Sequence, residues 1–266
     1  MGSDISFETI LFQTYDHIAV ITLNRPEVLN AVNSQLCEEA GRALEFIAKD
    51  TNIRVVIITG AGSTSFCAGA DLKAVAAGEF GSGEQVGRWG FAGICNHYID
   101  KPIIAAVNGF ALGGGTEIAL AADIVVASES ASFGLPEVTR GLIAGAGGIL
   151  RLSRQIPTKI AARMIFEGKK ISSQEAAEWG LVNIVVPSGQ VLEKAIQIAK
   201  KIAANSPVAV RMSKDVFYRG LDAPLDFPPT ARDLNNEYVS KILLTEDAAE
   251  GARAFAEKRK PNWTDS

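Results

Sequence analysis

The stretch that most restricts how this chain folds is a short apolar strand that runs into three consecutive glycines and a helix. Ile103–Val107 predicts a buried strand. The glycines at positions 113–115 then precede Glu117, in the first turn of the predicted helix. Glycine lets the main chain approach a ligand because it has no Cβ. The free N–H groups at the start of that helix, with the positive end of its dipole, favour an anion or an oxygen that becomes negative during a reaction.

A second carboxylate, Glu137, follows another turn, at the end of the segment Phe133–Glu137. Two carboxylates beside a main-chain oxyanion site can divide the work of a general acid and a general base. A triple glycine is also common in strand-to-helix connections that have no chemical role. The spacing alone therefore leaves both interpretations open.

The composition fits a folded protein with a large core. The chain has 266 residues, 47% of them hydrophobic and 21% charged, which allows one large domain or one domain with an appendage. Lysine and arginine number 26 against 30 aspartates and glutamates, so the net charge is −4. This balance gives no excess of positive charge that would attract a nucleic acid, and we expect no nucleic-acid partner.

Cysteine use and hydropathy predict a cytoplasmic protein. The three cysteines, Cys37, Cys67 and Cys95, are odd in number and have neither metal-ligand nor CxxC spacing. This is typical of a reducing compartment, and we expect no metal site. The N-terminal residues have no basic segment followed by an apolar run, so no signal peptide is expected. No apolar stretch reaches the roughly eighteen residues of a membrane span, so no membrane partner is expected either.

Periodicity predicts a mixed α/β body. The first predicted elements are a hairpin with strands Ile10–Tyr15 and Ile18–Leu23, and a helix at Ser34–Lys49. Val55–Thr59 has the β-branched composition of a strand buried on both faces. The strand, glycine turn and helix at 55–73 recur at 103–117, which indicates stacked β-β-α turns.

The rest of the chain predicts more helices than strands. Glu79–Gly83 is expected to be mobile, and residues 84–99 to form a helix. Later predicted elements are strands at Ile124–Ala127 and Val182–Val186, a helix at Thr158–Glu167, a capping box at Ser172–Glu175, and a helix to Ala204 that Ser188 caps. Beyond Asn205 only helices are predicted, at 207–220, 229–244 and 247–259. We therefore divide the chain into an α/β core at residues 1–203 and an all-helical C-terminal region at residues 204–266.

At these segments the chain resembles the crotonase superfamily, specifically the enoyl-CoA hydratases. The resemblance rests on segments that cover nearly the whole chain in one order: Ile21–Pro26, Phe66–Lys73, Ala105–Glu117, Phe133–Gly148 and Phe255–Lys260. It implies an α/β fold, a crotonase-like spiral of β-β-α turns with a C-terminal all-helical region. It also implies a homotrimer or homohexamer assembled through that region, and a place in fatty-acid metabolism through β-oxidation.

The resemblance further implies the residues of the site. Ala70 and Gly114 match the two main-chain donors to the thioester oxygen, and Glu117 and Glu137 match the two catalytic glutamates. The residues that match the coenzyme A and substrate-binding positions are Ala68, Asp71, Leu72, Lys73, Gly145 and Lys258. The partner is then an acyl-CoA thioester. Coenzyme A is part of that substrate, so no separate cofactor is expected.

Hydration of a 2-enoyl thioester agrees with these residues. Negative charge develops on the thioester oxygen as water attacks C3, and two aligned N–H donors stabilise it. By resemblance, Glu117 orients and deprotonates the water and Glu137 protonates C2. The division stays open, because two coupled carboxylates share their protons.

Two departures from the family pattern bear on the substrate. Ala144 precedes Gly145 where family members often have proline, in a loop that borders the water and acyl pocket. The region Glu79–Phe91, with Trp89 and Phe91, resembles carnitinyl-CoA dehydratases more than short-chain hydratases. Carnitinyl-CoA dehydratase is therefore an alternative activity. Trp89 and Phe91 either line an acyl pocket or simply pack.

Three rival functions remain at this point. An enoyl-CoA isomerase on the same scaffold usually works with one acid, so the pair of glutamates favours a hydratase. The run Gly145–Gly148 hints at a dinucleotide fingerprint but lacks the following strand and acid. A non-catalytic RNA-binding crotonase homologue is the alternative of another class, and the acidic balance argues against it.

Other polar residues have a structural interpretation. His17 and His97 fit ordinary surface or packed positions. Cys67 fits a packing residue, because no basic partner is apparent. Asp71 has two interpretations, a helix cap or a substrate contact. The run at 257–260 fits a solvated helix end, and only the resemblance makes Lys258 a phosphate ligand.

Overall fold

Two β-sheets form the body of the protein in a computed structural model, which describes residues 7–78, 84–225 and 230–266. The strands of the first sheet, in spatial order, are β1 (Ile10–Tyr15), β2 (Ile18–Leu23), β3 (Val55–Gly60), β5 (Ile103–Val107), β7 (Ile124–Ser128) and β10 (Ile184–Val186). Those of the second sheet are β4 (Ser65–Cys67), β6 (Phe110–Leu112), β8 (Ser132–Gly134) and β9 (Ile171–Ser172).

The chain alternates between these sheets and so describes a spiral. Strands β3, β5 and β7 pair in parallel in the first sheet, and each is followed by its neighbour β4, β6 or β8, which pair in parallel in the second. The first two turns close with α2 (Leu72–Ala76) and α4 (Gly114–Ala121). The third continues through a 3₁₀ helix at Pro136–Arg140 to α5 (Gly148–Gln155). The repetition predicted from the sequence is confirmed.

Both faces of the first sheet are buried, which explains its apolar strands. Along β3, Val56 and Ile58 join the core shared with α1 (Ser34–Lys49), whereas Val55 and Ile57 point to the opposite core. Helix α8 (Val191–Ala203) covers that second face. Because side chains alternate along a strand, a sheet covered on both faces needs a continuous hydrophobic run.

The remaining helices lie between and after these elements. They are α3 (Glu84–Trp89), α6 (Thr158–Glu167), α7 (Ser173–Glu178), α9 (Pro207–Gly220), α10 (Ala231–Ile242) and α11 (Glu246–Ala256). The parts of 204–266 that the structure describes contain helices and no strand. The division at residue 203 falls at the end of α8 and stays a prediction. No helix in the described ranges is long and apolar enough to cross a membrane.

Several local predictions are confirmed to the residue. The hairpin of β1 and β2 and the helices α1 and α6 have the predicted bounds. The capping box forms as expected, since the Ser172 hydroxyl accepts the Glu175 N–H and the Glu175 carboxylate accepts the Ser172 N–H. These elements carry their signals locally, in caps and periodicity.

Other predictions are wrong, each for an identifiable reason. The helix predicted over 84–99 ends at Trp89, because Gly90, Ala92 and Gly93 have positive φ angles of 71°, 58° and 68°. Ser188 does not cap α8; its hydroxyl bonds Ser128 and Ser130, and Gln190 is at the N-cap without a side-chain bond.

The short strands of the second sheet were also missed. Three residues are too few to show a periodicity, and these strands depend on pairing with the neighbouring spiral turn. The predicted strand at Val182–Val186 and the predicted helix at 247–259 are shorter in the structure. The segment Glu79–Gly83, expected to be mobile, lies outside the described residues.

Candidate active site

Two glycine-containing loops, one from each of two successive β-β-α units, meet at the carboxyl ends of β4 and β6. Gly69 and Gly113 have positive φ angles of 96° and 55°, which glycine tolerates. A methyl group on Gly69 would lie 3.4 Å from the nitrogen of Gly114, so the two backbones are in contact. The N–H of Val32 donates to the Gly69 carbonyl at 2.8 Å, and the Asp71 N–H donates back to the Val32 carbonyl at 2.8 Å. These two hydrogen bonds hold the loop around Gly69 against Val32.

This contact brings Ala70 and Gly114, the predicted oxyanion donors, onto touching turns. Gly114 is the first residue of α4, so its N–H lies at the positive end of the helix dipole. Among the main-chain hydrogen bonds of the described residues, none uses the N–H of Ala70 or of Gly114. Both donors are thus available for an oxygen atom of a ligand.

Glu117 is buried in the first turn of α4, with an exposure of 3%. Its Oε1 accepts the N–H of Ala146 at 2.7 Å and the N–H of Gly148 at 2.8 Å. Burial raises the pKa of this carboxyl above its usual value, although the two N–H donors oppose the rise. The nearby Glu137 charge raises the pKa further, and Arg151 lowers it.

Glu137 lies in the 3₁₀ helix Pro136–Arg140, against the same glycine turn. A methyl group on Gly113 would lie 3.0 Å from Glu137 Oε1. Its Oε2 is buried and has no hydrogen-bond partner among the described residues. Burial also raises the pKa of this carboxyl. The two predicted glutamates therefore flank the glycine turn that carries one of the predicted donors.

Phe91 forms a wall of this site. The positive φ angles that end the predicted helix also turn its ring onto Gly114, where an added methyl group would collide with the ring. Trp89, in contrast, packs in the core: it contacts Gly41 and stacks on His97 at 5.3 Å between ring centroids. Of the two aromatic residues left open by the sequence, Phe91 borders the site and Trp89 packs.

The residues predicted to bind coenzyme A near Ala70 lie along one edge of the loop around Gly69. Leu72 is 50% exposed and Lys73 is also exposed. Asp71 caps α2 by accepting the Lys73 N–H at 3.1 Å, and it pairs with Arg25 at 3.0 Å. The Ala68 N–H donates to the Leu29 carbonyl. Asp71 is therefore engaged as a helix cap, whereas Leu72 and Lys73 are open to a ligand.

Gly145 and Lys258 differ in their distance from the glutamates. Gly145 is exposed in the loop just before Ala146, whose N–H bonds Glu117. Lys258 is exposed just beyond α11, and the following residues 260–263 share a cleft with His17 and Arg54. Those two residues precede β2 and β3, whereas the site follows the strands. The structure does not bring Lys258 to the site of the same chain.

Buried polar residues that brace the first turn were missed from the sequence. Asn30 is fully buried, and its Nδ2 donates to the carbonyls of Ala61 and Ser65 at 3.0 and 2.9 Å. Arg25 donates to the Ala31 carbonyl at 2.6 Å in addition to its pair with Asp71. The only signal was the break at Asn24–Pro26, which does not say what the side chains contact.

The loop at Gly145–Gly148 has a different use from a dinucleotide fingerprint. Its Ala146 and Gly148 N–H groups bond the Glu117 carboxylate and are not free for a pyrophosphate. Cys67 is fully buried, and burial raises the pKa of its thiol to about 12, so it is an inert packing residue. Within the described ranges, no three His, Cys, Asp or Glu side chains form a group able to hold a metal ion.

Comparison with known proteins identifies the family of the chain. The family described as Enoyl-CoA hydratase/isomerase matches residues 13–266. The carnitinyl-CoA dehydratase of Proteus mirabilis is 39% identical over 258 residues, which cover 96% of this chain and 98% of that protein.

Solved structures agree as well. The enoyl-CoA hydratase of Mycobacterium tuberculosis H37Rv has a TM-score of 0.91 at 41% identity, covering 97% of this chain and 99% of that chain. The carnitinyl-CoA hydratase of Mycobacterium avium has a TM-score of 0.78 at 47% identity, covering 98% of this chain and 100% of that chain. The chain therefore belongs to the enoyl-CoA hydratase/isomerase family, with the crotonase fold, and it is an enzyme of the hydro-lyase class.

Proposed function

We propose that the protein is an enoyl-CoA hydratase, which adds water across the 2,3 double bond of a 2-enoyl-CoA to give a 3-hydroxyacyl-CoA, and which also catalyses the reverse dehydration. One observation carries this proposal. The buried Glu117 and the half-buried Glu137 flank a glycine turn whose Gly114 N–H has no main-chain partner among the described residues, and the buried Glu137 Oε2 has no partner among them either. A buried oxygen without a partner is costly, which supports a substrate as its missing partner.

In the proposed mechanism the thioester oxygen accepts the N–H groups of Ala70 and Gly114. Glu117 takes a proton from water, and the resulting hydroxide oxygen bonds C3. The electrons of the double bond move toward the thioester oxygen, where the two donors stabilise the enolate. Glu137 then gives a proton to C2. Water is consumed, and no redox partner is needed.

The hydrogen bonds of each glutamate support this division of roles. Glu117 accepts two main-chain N–H groups, which favour its ionised form and suit a base. Oε1 makes both bonds, which leaves Oε2 for water. Burial raises the pKa of both carboxyls, and what distinguishes Glu137 is a buried Oε2 without a partner among the described residues, which suits a proton donor.

The rest of the site is proposed from the same family match. Leu72, Lys73 and Gly145 form the exposed edge for coenzyme A, which enters as part of the substrate, with no further cofactor. Lys258 serves the site of a second copy, in a homotrimer or homohexamer. We place the enzyme in the cytoplasm and in fatty-acid β-oxidation.

Carnitinyl-CoA dehydration is the second candidate. Relatives with that name match almost the whole chain. The Phe91 ring lies beside Gly114, and an aromatic ring is the kind of group that attracts a quaternary ammonium group. A substrate panel separates the candidates. It contains straight-chain 2-enoyl-CoAs, the enoyl-CoA with a 4-trimethylammonio group, and a β,γ-enoyl-CoA for isomerase activity.

The measurement is the loss of the conjugated thioester absorbance for the first two kinds of substrate, and its appearance for the third. We expect hydration of at least one conjugated substrate. A preference for the cationic substrate would favour the second candidate. Migration of the double bond without hydration would overturn both.

A further inference from the structure

Arg151, on α5, forms hydrogen bonds to two separate segments near Glu117, at Ala146 and at Cys95. Its Nη1 donates to the Ala146 carbonyl at 3.0 Å, and its Nη2 donates to the Cys95 carbonyl at 2.5 Å. The main-chain N–H of Arg151 also donates to the Gly147 carbonyl at 2.8 Å. One residue thus holds two consecutive carbonyls of the loop whose N–H groups bond Glu117.

The guanidinium lies directly on this loop. Gly147 has a φ of 95°, and a methyl group added there would collide with Arg151 Nη1. In this conformation the N–H groups of Ala146 and Gly148 converge on a single oxygen of Glu117. Arg151 therefore holds the loop in the shape that fixes the glutamate.

Arg151 also supplies positive charge near Glu117, as Arg140 does near Glu137. The groups that interact electrically with Glu117 are Glu137, which raises its pKa, and Arg151, which lowers it, while the Glu117 charge raises the pKa of the buried Cys95 thiol. Loss of the guanidinium would leave only the Ala146 and Gly148 N–H donors, among the groups named here, to oppose the rise in the Glu117 pKa.

Arg151 also lines a cavity of about 240 Å³, together with Tyr98, Asp123, Lys214 and Tyr218. Asp123 is already engaged by Lys214 at 2.8 Å and by Tyr218 at 2.6 Å. Arg151 thus has main-chain partners and also borders a cavity, through which a small cation can reach its place.

We propose that Arg151 is a positioning residue for the hydration reaction: it holds the Ala146–Gly148 loop so that Glu117 faces the substrate, and it places a positive charge near that carboxyl. The inference rests on the proposed function for its kinetic test. It acts through Glu117 and makes no contact with the reacting atoms.

Three variants test the proposal: Arg151→Ala, Arg151→Lys, and Arg154→Ala as the matched control. Arg154 lies on the same helix, is exposed, and among the described residues donates to the Leu150 carbonyl at 3.1 Å. In Arg151→Ala we expect kcat to fall about 10- to 100-fold with little change in KM, and the acid limb of the kcat profile to move to higher pH. Free guanidinium, at concentrations that do not unfold the protein, should restore part of kcat.

The lysine variant separates charge from geometry, and it also covers a failure of the alanine variant to fold. Arg151→Lys should keep the acid limb of the kcat profile near that of the unsubstituted protein. Its kcat should stay low, because a single ammonium group replaces a guanidinium that donates to two carbonyls in a fixed geometry. The Arg154→Ala variant should match the unsubstituted protein throughout. An unchanged kcat in Arg151→Ala, or a low kcat with an unmoved acid limb and no guanidinium rescue, would overturn the proposal.

A measurement without turnover keeps this test apart from that of the proposed function. The Glu117 carboxyl can be titrated by NMR with isotope-labelled glutamate, its signal assigned by its absence in Glu117→Gln. We expect a higher pKa in Arg151→Ala than in the unsubstituted protein. If no enoyl-CoA is hydrated, the proposed function fails, and an equal Glu117 pKa in both proteins would still contradict the role of Arg151.

Discussion

Glu117 and Glu137 are chemically alike, and their surroundings distinguish them. One has an oxygen fixed by two main-chain N–H groups, and the other has a buried oxygen without a partner within the described residues. The sequence could indicate both residues, because Glu117 follows a glycine turn after a predicted strand and Glu137 follows a second turn. It could not indicate which N–H groups fix Glu117, since these come from a loop 29 to 31 residues further along.

The glutamates give the most direct test of the chemistry. Glu117→Gln and Glu137→Gln should each lower kcat for hydration by roughly 100- to 10,000-fold, the usual contribution of an acid or base. Thioester binding should survive, because the main-chain donors remain. Kinetics together with calorimetric titration of a saturated acyl-CoA measure both quantities. Near-normal turnover in either variant would remove that residue from the mechanism.

The same burial predicts a pH-dependent effect on stability. The pKa of Glu117 is raised in the folded protein, so its protonated form stabilises the fold below the usual glutamate value, and this contribution is lost as pH rises through the folded value. Glu117→Gln should therefore be at least as stable as the unsubstituted protein at neutral pH, and its advantage should shrink in acid. Thermal melting across pH measures this difference.

Glu39 provides a control of opposite sign. Burial alone would raise its pKa, but hydrogen bonds from Thr9, Glu8 and Gln35 lower it. Its contribution is present above the usual glutamate value and is lost as pH falls through the folded value. Glu39→Gln should be less stable than the unsubstituted protein at neutral pH, and its kcat should be unchanged. The same sign of change in both variants would contradict the electrostatic explanation.

At the scale of elements, helices with caps and long strands were readable from the sequence, and the short second sheet was not. The segment at 84–99 shows the limit most clearly. Its apolar spacing favoured one helix, but Gly90, Ala92 and Gly93 take positive φ angles and turn Phe91 onto Gly114. For the non-glycine Ala92 this conformation is costly, so it depends on tertiary packing that no local pattern reports.

The contact of Phe91 with α4 gives a test at this scale. Gly114→Ala should destabilise the protein by about 1–3 kcal/mol, because the new methyl group collides with the ring. Phe91→Ala should relieve that collision, so the double variant should show a favourable coupling of roughly 0.5–3 kcal/mol. Chemical denaturation of the four proteins measures the coupling. Simple additivity would mean that the two residues do not touch in solution.

At the scale of the whole molecule, the C-terminal helices leave large apolar side chains in solvent. Leu243, Leu244 and Phe255 are 71%, 88% and 88% exposed, and α10 has no buried residue. A single chain rarely exposes so much apolar surface without a partner. The resemblance predicted the helical tail and its use in assembly, and the sequence pattern alone could not tell an interface from a core.

Assembly is testable through these residues. We expect the unsubstituted protein to have the mass of three or six chains by light scattering, and Leu244→Glu with Phe255→Glu to lower that mass. Charges placed in an apolar interface are costly to bury, which drives dissociation. Elution of the unsubstituted protein with the mass of one chain would contradict the proposed assembly.

The pairing of β4 with β6 has a consequence for how the catalytic distances are kept. The two proposed main-chain donors, Ala70 and Gly114, follow neighbouring strands of one sheet, so their separation is tied to the roughly 4.8 Å repeat of inter-strand pairing. The pairing of the strands, and not the choice of side chains, then sets the distance between the two amides proposed to bind the thioester oxygen. Substitutions around it can change which acyl chain fits while the span between the two amides stays constant.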